Sequence, residues 1–137
     1  MIVQGITNSF KSQILQGVHD LLTDTLKIAL YTANASLNLD TTIYSATNEV
    51  TGSGYSAGGE TVLNVTINQD GNTEYVSFDN VTYNAAITAR CALLYNASKG
   101  NKAIAVLDFG DDKTSSHTFT VQLPANTSTN ALIRMIN

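Results

Sequence analysis

Charge is scarce in this chain. Lys, Arg, Asp and Glu together make up 13% of its 137 residues, about half the usual share. Seven basic residues stand against eleven acidic ones, for a net charge of −4. The basic residues are scattered, whereas a nucleic-acid partner needs a basic stripe. Neither nucleic acid nor an anionic membrane is therefore an expected partner. Cysteine occurs once, at Cys91, so no intrachain disulfide can form. It sits in the apolar run "TARCALLY" and reads as a small core residue rather than a reactive thiol. Tryptophan is missing, and Pro124 is the single proline. No run of about 18 apolar residues is present to span a membrane. The start "MIVQGITNSFKS" lacks the charged and apolar regions of a signal peptide.

What fills the space is neutral and hydrogen-bonding: 11 Ser, 18 Thr and 14 Asn. Thr favours strands, while Ser and Asn favour turns. Five N-x-S/T triplets, at Asn34, Asn64, Asn80, Asn96 and Asn126, follow from that composition and are expected to stay bare. The length fits one domain over 1–137, large enough to bury roughly two thirds of its unfolded surface without a disulfide or metal staple.

One segment has helical period. In 9–23, Phe10, Ile14, Leu15, Val18, Leu21 and Leu22 fall on one face, with Asn8 or Ser9 as cap and Gly17 as a weak point. This stripe is expected to dock on the sheet, with His19 on the polar side. The rest alternates with period two. "LKIALY" puts Leu26, Ile28 and Leu30 on one face, and "LNVTIN" does the same with Leu63, Val65 and Ile67. Asp70-Gly71 marks a hairpin into "EYVSFDNV". The apolar runs 87–95 and 102–109, joined by a turn around Gly100, read as central strands covered on both faces. "HTFTVQL" turns Phe119, Val121 and Leu123 inward, and "ALIRMIN" reads as a last strand. The expected fold is mainly β: an antiparallel sandwich or barrel of about seven strands with one N-terminal helix. A long Gly-rich loop, 33–60, is of the length that is usually functional or disordered.

The chemical motifs fail on inspection. "GSGYSAGG" has Gly54 and Gly59 at P-loop separation, but Glu60 stands where the lysine belongs. "DFG" at 108–110 lacks every other kinase element. Asp108, Asp111 and Asp112 offer at most a weak cation site without EF-hand spacing. His19 and His117 have no cysteine or carboxylate at ligand spacing, and no G-x-S-x-G is present. No catalytic residue, cofactor or metal is expected, and the chain reads as a non-enzyme. The glycine block instead reads as a contact loop, with Gly52, Gly54, Gly58 and Gly59 giving backbone freedom and Tyr55 a rigid anchor. The alternative is that it wraps its own sandwich. Residues 1–8 form a possible arm, whose apolar Ile2, Val3 and Ile6 are expected to lie on a neighbouring copy or on a lattice.

Four stretches resemble a family of small virion structural proteins of tailed bacteriophages. They are the helix leading into "DTLKIALYT", the block "IYSATNEVTGSGYSAGGETV", the run "VSFDNVTYNAAITARCALLYN", and "VLDFG" followed by "FTVQLPANTSTNALIRM". Relatives often carry Trp in the central region, which is absent here, and "ANTSTNA" is longer than the family's turn. The resemblance implies a capsid decoration or cement protein on the outer surface of the head, made in the host cytoplasm. Its implied partners are the major capsid protein and itself, as a homotrimer. Alternatives are a tail or head-tail connector component, or a carbohydrate-binding β-sandwich.

Overall fold

A computed structural model describes residues 1–136. The fold is mainly β, with several antiparallel sheets and one short N-terminal helix. The central sheet has five strands in the order β1 (Gly5–Ile6), β8 (Lys102–Thr114), β7 (Thr88–Asn96), β2 (Leu26–Tyr31) and β3 (Glu60–Thr61). A second sheet orders β10 (Arg134–Met135), β5 (Thr73–Ser77) and β4 (Thr66–Asp70), and a third pairs β6 (Val81–Tyr83) with β9 (Phe119–Val121).

The apolar runs make β7 and β8 the middle of the central sheet, and both faces of it are buried. Ile28, Leu30, Ala92, Leu94, Ile104 and Leu107 belong to one cluster, covered by the other two sheets and by Phe10 of the helix α1 (Asn8–Leu15). Ala29, Tyr31, Cys91, Leu93, Tyr95, Ala103 and Val106 face the other way. There the cover is irregular chain: Ala35, Leu37 and Tyr44, with Ile2 beside them. Ile104 and Ala105 are neighbours in sequence yet share a face, because the ladder slips between Leu94↔Ala105 and Tyr95↔Ala103. Such a bulge inserts one residue and resets the alternation. A second irregularity leaves Phe109–Asp112 opposite Arg90 alone, with Gly110 at φ +85°. Burial pushes the Cys91 thiol up to about 11, with the Asp108 carboxylate adding to it, so the thiol stays protonated at neutral pH.

Several expectations hold: the two central strands, inward Phe119, Val121 and Leu123, and the hairpin. Its turn residues are Gly71 and Asn72, with Gly71 at φ +60° in the first position, as the II′ class requires. Others are corrected. The helix runs over Asn8–Leu15 and not 9–23, and its cap is Thr7, whose Oγ1 accepts from the Phe10 N–H. Gly17 ends it. With Gly17 at φ +74°, its N–H donates to Ile14 and that of Val18 to Gln13. These are the two bonds of a Schellman motif. Leu21 is buried, but Leu15 is 81% and Leu22 56% exposed, so the stripe does not dock as one face. The phase of 63–67 is also inverted at its start. Val62 is buried while Leu63 and Ile67 are largely exposed, because Asn64, at φ +55°, bends the chain as it crosses between sheets.

Glycine substitutions separate crowding from strain. A Cβ on Gly59 would lie 1.7 Å from the Ile28 carbonyl oxygen, whereas one on Gly17 would meet nothing within 4 Å. Both have positive φ. Gly17→Ala is expected to cost about 1 kcal/mol, the left-handed penalty alone. Gly59→Ala is expected to cost about 3 kcal/mol or more, since backbone must also move. Denaturant titration of the two variants measures the gap.

Candidate functional site

The glycine block lies against its own chain, on the β6–β7 connection and on β2. A Cβ on Gly52 would sit 2.3 Å from the Ala86 carbonyl oxygen, and one on Gly54 2.1 Å from that of Asn84. Gly58 is buried, and its carbonyl accepts from the Tyr95 hydroxyl at 2.7 Å. Tyr55 is an internal anchor. Its hydroxyl accepts from the Leu30 N–H at 3.0 Å and donates to Glu49 Oε2 at 2.5 Å, while its ring stacks on Tyr83 at 5.8 Å. β3 pairs only with Lys27 and Ile28 of β2, so the Tyr55 hydroxyl and residues 48–50 complete that edge. Val50 N–H donates to the Leu30 carbonyl and Thr32 N–H to that of Asn48.

Glu49 is the hub that sequence reading missed. Its Oε1 accepts from the Tyr44 hydroxyl at 2.6 Å, and its Oε2 accepts from Tyr55 and from the Gly58 N–H at 2.8 Å. Tyr44 in turn stacks on Tyr95 at 4.7 Å. Burial, then the bond to Glu49, holds both the Tyr44 and Tyr55 phenols well above their ordinary range. Tyr95 is pushed up to about 12, mainly by burial. The phenols therefore stay donors and the carboxylate their acceptor. The available signal was a lone acid flanked by tyrosines within a polar segment.

The arm is likewise engaged in its own chain. Ile2 bridges to Leu37, and Val3 N–H donates to the Leu37 carbonyl at 2.9 Å. Gly5 and Ile6 pair with Val106 and Ala105. Thr7 is fully buried and its N–H donates to the Ile104 carbonyl. Ile2, Val3, Ile6, Gly52, Gly54, Tyr55, Gly58 and Gly59 thus serve the internal packing of two separate regions, and the structure does not gather them into one surface. Asp108 lies 3.3 Å from Arg90, and among the described residues no three His, Cys, Asp or Glu side chains converge as a metal site.

Apolar surface is open elsewhere. A groove of about 410 Å³ runs between α1 with its following turn and the second sheet. Ile14 and Leu21 form one wall, and Ile67, Val76, Ile133 and Met135 the other. A smaller cavity of about 200 Å³ adjoins it, between Phe10, Ile14 and Leu15 and the β10 residues Arg134 and Met135. Leu15, Leu22, Met135 and Ile136 each expose more than half of their surface, from 53% to 81%. Asp20, Glu74, Lys11 and Arg134 give a mixed polar rim.

His19, expected on a polar face, is buried in the groove wall. Asn96 Nδ2 donates to its Nδ1 at 2.9 Å, so Nε2 carries the proton and donates to Gln13 Oε1 at 2.9 Å. Asn96 Nδ2 also donates to Asp24 at 2.7 Å, and Asp24 pairs with Lys99 at 3.2 Å. Both ring nitrogens are occupied, which suits structure rather than acid–base work. Burial lowers the His19 pKa; the Asp24 carboxylate opposes that, and Lys102 and Lys99 reinforce it.

Two measurements follow from these networks. Tyr55→Phe removes the acceptor of the buried Leu30 N–H and a donor to Glu49, and is expected to cost about 1–3 kcal/mol. A loss-free substitution would return the loop to the role of a free contact finger. For His19, the folded pKa lies below the unfolded 6.5. Above 6.5 the ring is neutral in both states; below it the unfolded chain takes up a proton that the folded one resists, so stability falls with pH. The melting temperature is expected to drop between about pH 7 and about pH 5, and less steeply in His19→Gln.

No protein-family model, curated protein or solved structure matches the chain.

Proposed function

We propose that the chain is a non-enzymatic structural part of a bacteriophage virion, a decoration or cement protein that docks on the outer face of the head lattice. The observation that carries the docking face is the groove between α1 and the β5–β10 edge, with Leu15 81% and Met135 53% exposed beside it. Contiguous exposed apolar surface with a polar rim marks protein contact sites. The four family-like stretches support the virion setting, and the sparse, nearly balanced charge suits dense packing of many copies. The glycine loop and arm, being internally bonded, act as supports of the fold and not as its contacts.

With the Leu15 side chain in solvent, a charge placed there acts on binding and not on folding. Leu15→Asp and Met135→Asp are each expected to change stability by no more than about 0.5 kcal/mol while abolishing co-sedimentation with heads that lack the protein. Full binding by both variants would remove the groove as the docking face. Binding at about a dozen copies, instead of near the copy number of the major capsid protein, would make the protein a connector component.

A further inference from the structure

The second sheet ends in a bare edge. Among the described residues, β4 pairs with β5 on one side and with no strand on the other. Asp70 and Thr73 flank the two-residue turn and close the hairpin, so hydrogen-bonded pairs fall at Asp70, Asn68 and Thr66. The N–H and C=O of Ile67 and Gln69 therefore point away from β5. The partner strand shows the same phase, since Val76, opposite Ile67, sends its N–H to Ile133 of the β10 side at 3.0 Å. Natural edges are blunted by Lys, Pro or a bulge; "TINQD" has none of these.

We infer that β4 is a self-pairing edge, which joins two copies of this chain antiparallel about a two-fold axis at Asn68. In that register Ile67 faces Gln69 of the partner subunit, and Gln69 faces the partner subunit's Ile67. Each such pair exchanges two N–H···O bonds, so all outward groups of both residues are satisfied. Charge selects this occupant. Asp70 is the only charged residue of the strand, and self-pairing sets it opposite Thr66 of the partner subunit, with the two carboxylates at opposite ends. A foreign strand would find no charge here to select it. Packing points the same way. Ile133, Val76 and Ile67 form a row along the groove floor, exposed 7%, 5% and 48%. Across the axis the two Ile67 side chains lie on one face as diagonal neighbours, which continues the row. The contact is two-fold, in place of the trimer that the family resemblance implies, and it does not depend on what the groove binds.

Sedimentation velocity with hydrogen exchange tests this on the full chain. The 14.6 kDa protein is expected to approach twice its mass as concentration rises to about 1 mM, as befits a small contact. The Ile67 and Gln69 amides are expected to gain protection in step. Gln69→Pro deletes only an outward N–H and leaves the β5 ladder intact; it is expected to keep the melting temperature and raise the dimer dissociation constant at least about tenfold. Ile67→Lys, which alters no backbone group and sets two like charges across the axis, is expected to do the same should proline perturb the strand. A wild-type chain that stays monomeric at about 1 mM, a dimer whose Ile67 and Gln69 amides remain unprotected, or a dimer unaffected by both substitutions would each overturn the inference.

Discussion

Strands β7 and β8 carry buried side chains on both faces, and everything else in the molecule answers to that. Leu93 and Leu94, or Val106 and Leu107, point in opposite directions and are each almost fully buried. A sheet of this kind needs a cover on each side. One cover is regular, made of two small sheets and α1. The other is built from residues 32–50 and the first residues of the chain, with almost no repeating structure. An irregular cover leaves backbone groups to be satisfied singly. Asn and Thr side chains, phenols and one carboxylate do so: Tyr31 donates to Ser45, Tyr44 to Glu49, and Asn48 to Asn34. The abundance of neutral hydrogen-bonding residues is thus a requirement of this second cover as much as a property of the surface.

The glycine block belongs to the same account. Gly52, Gly54 and Gly59 sit where a Cβ would collide with a carbonyl oxygen. They allow the chain to lie directly on backbone, and that closeness delivers Tyr55 to Glu49 and to the open edge of β2. A glycine-rich stretch containing one tyrosine is the same string of letters for a mobile finger and for a tightly laid strap. Only the position of its acceptor separates the two, and Glu49 lies outside the glycines themselves.

What could be read in advance was what repeats locally. The apolar runs of β7 and β8, the alternation that turns Phe119, Val121 and Leu123 inward, and the Gly71 turn each carry their signal within a few residues. Failures came where a residue's role is set by a distant partner. His19 enters the core because Asn96, 77 positions away, donates to its unprotonated nitrogen. The arm joins the sheet because β8 offers it an edge. Leu63 and Ile67 keep the apolar alternation of a buried strand, but Leu63 lies in the connection between β3 and β4, and Ile67 on the outer strand of the second sheet. The groove was illegible for the same reason: its walls come from residues 14–21, 67–76 and 133–135, which meet only when three elements close on one another.

One local event produces both the groove and its histidine. Period alone would carry the helix on to residue 23, long enough to cover the second sheet with Leu15, Val18 and Leu22. Gly17 stops it after Leu15, at a length of about 12 Å, and the chain turns back toward β7. That reversal brings His19 and Asp24 to Asn96, and it leaves Leu15 and Leu22 outside. A longer helix would hide the groove floor and lose the His19–Asn96–Asp24 network together. The apolar groove and the acid-sensitive network are therefore coupled by geometry. Protonation of His19 acts against the turn that holds one wall of the groove in place, so the open apolar groove and the element that responds to pH share the same short segment.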